Sequence, residues 1–364
     1  MIKLEFIIPT KNRWHLLQPT LDSLVKQTCN KFTVLIVDNS DTPDQENISK
    51  EILKSYEKFL NIRCIKTGNL NMLENWNKGY ELSNGEYSYL VTDKIILDSN
   101  AVALFYDGLQ QFPNEKIFMF GKNDKKNKKW RMINSSTLIN ESLDDMENFV
   151  NACIGSELKC FLKKEYKDFL IKKYGKLINF VGGDVDVVYM AIMNNPTYCQ
   201  LDYNIIKNRN NLVGSVGRSG EYGGEIYRVY LKEHGLDYNN LYPFAPINIS
   251  DNFNGLYNDF FATAKLSNYP CSYEDLNKTK YIINIYSSLV YYQRLYNVSK
   301  SEDFEKLHNY IEKNNLQFNP DINECFRYYA NSFKSLNFKD FKKINTHKKL
   351  NIFGIKISWK SRKR

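Results

Sequence analysis

The first hundred residues alternate short apolar runs with amphipathic stretches, and that alternation limits the fold more than any other feature. Leu4-Glu5-Phe6-Ile7-Ile8 is almost continuously apolar, as a strand covered on both faces of a parallel sheet must be. It stops at Pro9, and the polar turn Thr10-Lys11-Asn12-Arg13 leads into a helix with Leu17, Leu21, Leu24 and Val25 on one stripe. Pro19 suits only the first turn of that helix, which places its start near Leu16. A second strand, Phe32 to Val37, ends in Asp38-Asn39-Ser40-Asp41. A helix over 43–60, a third strand over 61–66 and an amphipathic helix over 70–82 follow, the last closed by Asn84-Gly85. A fourth strand, Tyr87 to Val91, runs into Thr92-Asp93-Lys94. The pattern predicts an α/β fold with an open, mostly parallel sheet flanked by helices.

Ligands of such sheets bind at the carboxyl ends of the strands. Polar clusters fall at three of those ends, at 9–13, 38–41 and 92–94. Each is also ordinary turn chemistry, so it is their coincidence that points to a site. Beyond residue 100 the pattern predicts a helix over 101–113, a strand over 117–120 and a charged loop or hairpin over 122–131. Strand and helix mix over 155–175, and Phe180-Val-Gly-Gly-Asp184-Val-Asp186 opens an apolar helix. Residues 210–224 are glycine-rich and read as a loop, and 251–340 form a helical appendage.

The most apolar run, Tyr281 to Tyr296, contains Asn284, Ser287, Ser288, Gln293 and Arg294 and suits a buried helix. It falls short of the roughly 18–20 uninterrupted apolar residues of a membrane span. The amino terminus lacks the pattern of a signal peptide, so a cytoplasmic location is expected. The net charge is +9, from 50 basic and 41 acidic residues. Residues 341–364 alone hold nine basic residues and no acidic one, so the rest of the chain is neutral. Nucleic-acid binding would put charge on a folded face, and none is expected. A basic segment that also holds Leu350, Ile352, Phe353, Ile355, Ile357 and Trp359 is a basic amphipathic tail, suited to an anionic membrane surface or to a solvated terminus.

Seven cysteines and four histidines (His15, His234, His308, His347) are scattered without metal-ligand spacing. No G-x-G-x-x-G follows the first strand and no P-loop occurs, so the phosphate cradles of Rossmann and P-loop enzymes are missing. A nucleotidyltransferase should carry glycine in its first turn, and residues 9–13 have none.

FIIPTKNR, TLDSLVKQT, VLIVDNSD and NWNKGYELSNGEYSYLVTDK, in this order, resemble the start of family-2 glycosyltransferases of the GT-A fold. Spacing agrees, with Asn77 eight residues before Gly85 and Asp93 eight after it. The resemblance implies a GT-A domain over 1–250, with a nucleotide-binding half (1–100) and an acceptor half (101–250), before the helical region 251–340 and the tail 341–364. Pro9, Thr10, Asn12 and Arg13 would line base and ribose, Asp38 would hydrogen-bond the base, and Asn75 and Asn77 would lie toward the diphosphate. Asp93 would contact the ribose or the metal edge.

Lys94 stands where relatives carry a further acidic ligand for Mg²⁺ or Mn²⁺. A divalent cation is therefore held by Asp93 alone, or the Lys94 ammonium takes over part of its charge. Asp184, 91 residues after Asp93, would be the general base, with Asp186 in reserve and Gly183 in the place of an expected Glu. Helix capping is the alternative role for Asp184. Arg218, in the glycine-rich loop, would reach the diphosphate, and a plain surface loop is the alternative.

The implied activity is inverting transfer of a hexosyl or N-acetylhexosaminyl group. The donor would be a nucleotide sugar, UDP-linked, and the acceptor a glycan or lipid-linked acceptor. The setting implied is bacterial cell-surface polysaccharide synthesis, of capsule or lipopolysaccharide type, at the inner membrane face. The alternative is a catalytically silent GT-A protein that binds a glycan or nucleotide sugar or scaffolds partner enzymes.

Overall fold

The computed structural model describes residues 4–121, 128–153, 160–180, 182–209, 232–235, 240–249, 251–296, 301–332, 348–352 and 355–359. These fall into two compact units, one of residues 1–139, 151–213 and 263–269, the other of 140–150, 214–262 and 270–364.

The first unit carries an eight-stranded sheet in the order β3-β2-β1-β4-β8-β6-β9-β7. Strands β1 (Leu4–Thr10), β2 (Phe32–Asp38), β3 (Ile62–Lys66) and β4 (Tyr87–Leu90) are mutually parallel where they pair, as the apolar runs predict. Strand β8 (Cys160–Lys163) then runs antiparallel to both β4 and β6 (Ile117–Phe120). β9 (Thr197–Leu201) returns parallel to β6, and β7 (Trp130–Asn134) closes the edge antiparallel to β9. Every residue of β1 is buried, including Glu5 at 4% exposure.

Helix α1 (Trp14–Val25) begins two residues before the expected start, with Pro19 inside it. Trp14 is wholly buried and anchors the first turn. The His15 carbonyl that Pro19 cannot serve belongs to an exposed residue, where water can satisfy it. Helix α2 (Pro43–Tyr56) ends four residues early, and Tyr56 and Leu60 both turn into the core. The short β5 (Ile95–Leu97), which pairs antiparallel with β10 (Ile206–Arg209), has too few residues for periodicity to reveal it.

Helix α3 (Met72–Leu82) starts with a capping box between Asn71 and Glu74 and lies on β1 and β2. At Gly79 a Cβ would stand 2.6 Å from Ile7 Cγ2 and 3.3 Å from Val37 Cγ2, so only glycine lets the helix approach this closely. Two buried charges secure the chain after it. Glu5 Oε2 accepts from Ser83 Oγ (2.8 Å), Asn84 N (2.7 Å) and Gly85 N (3.2 Å). Lys167, on α7 (Lys164–Tyr174), donates to the carbonyls of Tyr80 (2.6 Å) and Ser83 (3.3 Å), the orphan acceptors of the helix end. Burial pulls the Lys167 pKa below that of a free lysine, against the neighbouring Asp168.

The second unit is largely helical, with α9 (Asn252–Ser267, its last turn belonging to the first unit), α10 (Lys278–Tyr296), α11 (Ser301–Lys313) and α12 (Ile322–Ser332). The run from Tyr281 is the buried helix its composition implies, and Asn284 is paired inside it. Asn284 donates to Asp145 Oδ1 (3.2 Å) and the Tyr257 hydroxyl (3.2 Å), and accepts from Tyr328 (2.7 Å). The tail forms an antiparallel hairpin, β11 (Lys348–Ile352) with β12 (Ile355–Trp359), in which Leu350 stands opposite Ile357. Among the described residues, no helix is long and apolar enough to cross a membrane.

Replacing Glu5 by Gln places an amino group against donors that now share a carboxylate. We expect a loss of about 1–3 kcal/mol of stability, read as a lower urea midpoint at unchanged m-value.

Candidate active site

Sheet register brings the three polar clusters together. Thr10 stands opposite Asp38 in the β1–β2 pair, and the Val91 amide donates to the Ile7 carbonyl at 2.8 Å as the chain leaves β4. The carboxyl ends of β1, β2 and β4 are therefore neighbours, and 9–13, 38–41 and 92–94 share one rim.

On that rim Asp93 is buried, with its side chain 2% exposed. Its Oδ2 accepts from Arg13 Nε at 2.9 Å and from Thr10 Oγ1 at 3.2 Å. Burial drives the Asp93 pKa up, opposed by Arg13, Thr10 and Lys94. Asp38 is also buried, and its Oδ1 accepts the Ser40 amide at 3.0 Å. Pro9 lies in the β1–β2 ladder opposite Val37.

Asn12 has a left-handed backbone (φ 54°), which asparagine tolerates better than most residues. Its side chain joins the two loops, donating to Asp41 Oδ1 (2.6 Å) and accepting from the amides of Asp41 (3.1 Å) and Thr42 (3.4 Å). Asn39, a residue not singled out from the sequence, ties the same rim to the α3 entry by donating to the Leu70 carbonyl and accepting its amide.

The second constellation depends on α3. Asn75 donates to the Val37 carbonyl (3.2 Å) and accepts from Thr67 (2.8 Å) under the end of β2. Asn77 does not join the rim. Its amide donates to the Ile178 carbonyl (2.9 Å) and accepts from Leu177 N (3.1 Å) and Ile178 N (2.9 Å). Asp186, wholly buried, takes the next two amides, of Asn179 and Phe180 (2.9 Å for the latter). Its other oxygen accepts the Thr263 hydroxyl at 2.9 Å. The turn before α8 (Gly183–Met193) is thus fixed by two side chains that hold four consecutive backbone amides.

Gly182 caps α8, so Asp184 is the second residue of the helix and not its cap. At Gly183 a Cβ would stand 2.7 Å from Leu73 Cδ2 and 3.1 Å from Ile178 Cγ2, so a side chain there would require the end of Leu73 to move. Arg218 lies outside the described residues.

A hard divalent cation needs several oxygen ligands. The rim offers Asp93, whose Oδ2 is already engaged, followed by the cationic Lys94. Among the described residues, no three His, Cys, Asp or Glu side chains come together as a metal-binding group. These donors do not fit a metal site built by the protein.

Burial raises the Asp186 pKa to about 6, although the amides of Asn179 and Phe180 and the Thr263 hydroxyl favour the charged form. A carboxyl whose folded pKa exceeds its unfolded value of about 3.9 stabilises the fold below that value. The contribution disappears as pH rises through the folded pKa. Relative to Asp186→Asn, which does not titrate, the wild type should lose on the order of 2–3 kcal/mol between pH 4 and pH 7. Urea unfolding of both proteins across that range checks the sign.

Residues 5–167 match the family described as Glycosyl transferase family 2. No curated protein matches the sequence significantly. Among solved structures, the chain is similar to S. aureus TarS 1-349 in complex with UDP-GlcNAc, with 12% identity and a TM-score of 0.44 over 99% of this chain and 97% of that one. It is also similar to mannosyltransferase PcManGT from Pyrobaculum calidifontis in complex with GDP-Man and Mn²⁺, with 13% identity and a TM-score of 0.42 over 85% and 86% of the two chains. A third is the 4-diphosphocytidyl-2C-methyl-D-erythritol synthase of Anaerococcus prevotii, with 16% identity and a TM-score of 0.32 over 48% and 75%. The family match begins in β1, ends in α7 and takes in all three strand-end clusters. Residues 5–167, somewhat under half of the chain, are thus similar to the family-2 glycosyltransferases, and the similarity covers the whole strand-end rim.

Proposed function

We propose that the protein transfers a sugar, with inversion, from a UDP-linked donor to a glycan or lipid-linked acceptor in the synthesis of a cell-surface polysaccharide. The observation that carries this reading is the rim itself, where Thr10, Asp38 and Asp93 meet at the carboxyl ends of three adjacent parallel strands. We assign the transferase to 1–250, with 1–100 holding the nucleotide and 101–250 the acceptor, ahead of the helical region 251–340 and the tail 341–364.

In the proposed reaction, Asp184 takes the proton of the acceptor hydroxyl while its oxygen attacks the anomeric carbon. The bond to the nucleoside diphosphate breaks on the opposite face, and the configuration inverts. Asp184 is the second residue of α8. Pro9, Asn12 and Asp38 shape the nucleotide side, with Asn12 holding the two loops together. Asp186 and Asn77 act as positioning residues for the turn that delivers Asp184.

Titration of the full chain with UDP, GDP, CDP and dTDP tests the donor class. Selective binding of UDP is expected. Asp184→Asn should then lower transfer by about 10²- to 10⁴-fold while leaving UDP affinity within about twofold. A wild type that binds UDP yet neither transfers nor hydrolyses the donor would instead identify a silent sugar-nucleotide binder.

The tail supports a second element of the proposal, a reversible hold on an anionic membrane where lipid-linked acceptors reside. Its nine basic residues have no acidic neighbour within 341–364. Each basic residue near such a surface contributes about 1 kcal/mol. The full chain should co-sediment with phosphatidylglycerol vesicles at low salt and be released at about 0.5 M salt. Ending the chain at residue 340 should abolish co-sedimentation. Equal binding to neutral vesicles would refute the electrostatic hold.

A further inference from the structure

We propose that Arg13, seated on Asp93, supplies the positive charge that meets the donor's diphosphate, so that nucleotide binding in this protein needs no divalent cation. The proposal rests on the nucleotide-sugar reading above and specifies how its phosphates are held.

Arg13 stands between the end of β1 and the first turn of α1, with its side chain 38% exposed above a carboxylate that is 2% exposed. Only its Nε is engaged, by Asp93 Oδ2 at 2.9 Å. The two terminal amino groups of the guanidinium have no partner among the described residues. A planar fork fixed at one edge and open at the other is the geometry that receives phosphate oxygens in pairs.

The other polar side chains of this loop are committed elsewhere. Asn12 is consumed by Asp41 and Thr42, Lys11 pairs with Asp41 at 3.7 Å, and Thr10 donates to Asp93. Asp93, the acid that would hold a cation, already carries one in the form of Arg13. Together Arg13, Asp93 and Lys94 sum to one positive charge, whereas a lone carboxylate would repel the diphosphate. Asp93 is then a positioning residue, which fixes where the guanidinium points.

The test is calorimetric titration of the full chain with UDP, in EDTA and in Mn²⁺, with Mn²⁺ uptake followed separately by electron paramagnetic resonance. Wild type should bind UDP with the same affinity within about twofold in both media and should take up no Mn²⁺ alone. Arg13→Ala should weaken UDP binding in EDTA by about tenfold or more, the loss of charged hydrogen bonds. It should also uncover Asp93, so that Mn²⁺ restores part of the affinity. The double variant Arg13→Ala, Asp93→Asn should lose that rescue. If Arg13→Ala does not fold, Arg13→Gln, which keeps a donor toward Asp93, should show the same loss in EDTA.

Binding of UDP by wild type only in Mn²⁺, or undiminished binding by the Arg13 variant in EDTA, would overturn the proposal and leave the donor reading standing. Absence of binding by UDP, GDP, CDP and dTDP in both media would remove the donor reading itself.

Discussion

The close seating of α3 on β1 and β2 is the constraint on which the rest of the site depends. At Gly79 an added Cβ would stand only 2.6 Å from Ile7 Cγ2, so the helix packs on the sheet at a distance that only glycine allows. Its far end is secured by opposite charges, a carboxylate that gathers donors after the helix and an ammonium that caps its last carbonyls. Burying Glu5 and Lys167 is tolerable because each is saturated with partners. The result is a rigid helix that carries a different asparagine to each half of the site.

Those asparagines act on backbone. Asn75 supports the end of β2, where the strand delivers Asp38, and Asn77 grips 177–178, where the chain turns toward Asp184. Asp186 completes the turn from the other side by gathering the amides of 179 and 180. A carboxamide or carboxylate fixed to main chain transmits position without lever-arm flexibility, because both of its hydrogen-bonding edges are used. Gly183 packs close to α3, where a side chain would displace the end of Leu73.

Much of the sheet could be read in the sequence. Parallel strands covered on both faces leave near-continuous apolar runs, and β1, β2 and β4 were placed within a residue or two by theirs. Strand-end clusters were legible for the same reason, because they begin where hydrophobicity stops. What periodicity cannot register is a three-residue strand such as β5, or a helix whose start is set by one buried Trp despite an internal Pro. Nor can spacing tell whether a polar side chain faces a ligand or its own backbone. Asn12 and Asn39 both sit at strand ends with suitable chemistry, and both turn out to serve the scaffold. The glycine at 183 looks like a lost Glu in the sequence, and in the structure it lies close against Leu73 and Ile178.

A polar rim contains more hydrogen-bonding groups than a ligand can use, and the surplus must be satisfied internally or by water. Counting what the fold consumes therefore narrows what remains for recognition. Asn12, Asn39, Asn75, Asn77 and Asp186 are consumed by the loops and turns they hold. Asp93 is consumed by Thr10 and Arg13, and Thr10 by Asp93. The Arg13 guanidinium, by contrast, keeps two terminal amino groups without a partner among the described residues, and it is cationic, planar and fixed at one edge. A site that must hold a leaving diphosphate gains most from charge that is already in place before the reaction, since reorganising it later would take energy from the transition state. Arg13 meets that condition because the carboxylate beneath it is buried and cannot follow it into solvent.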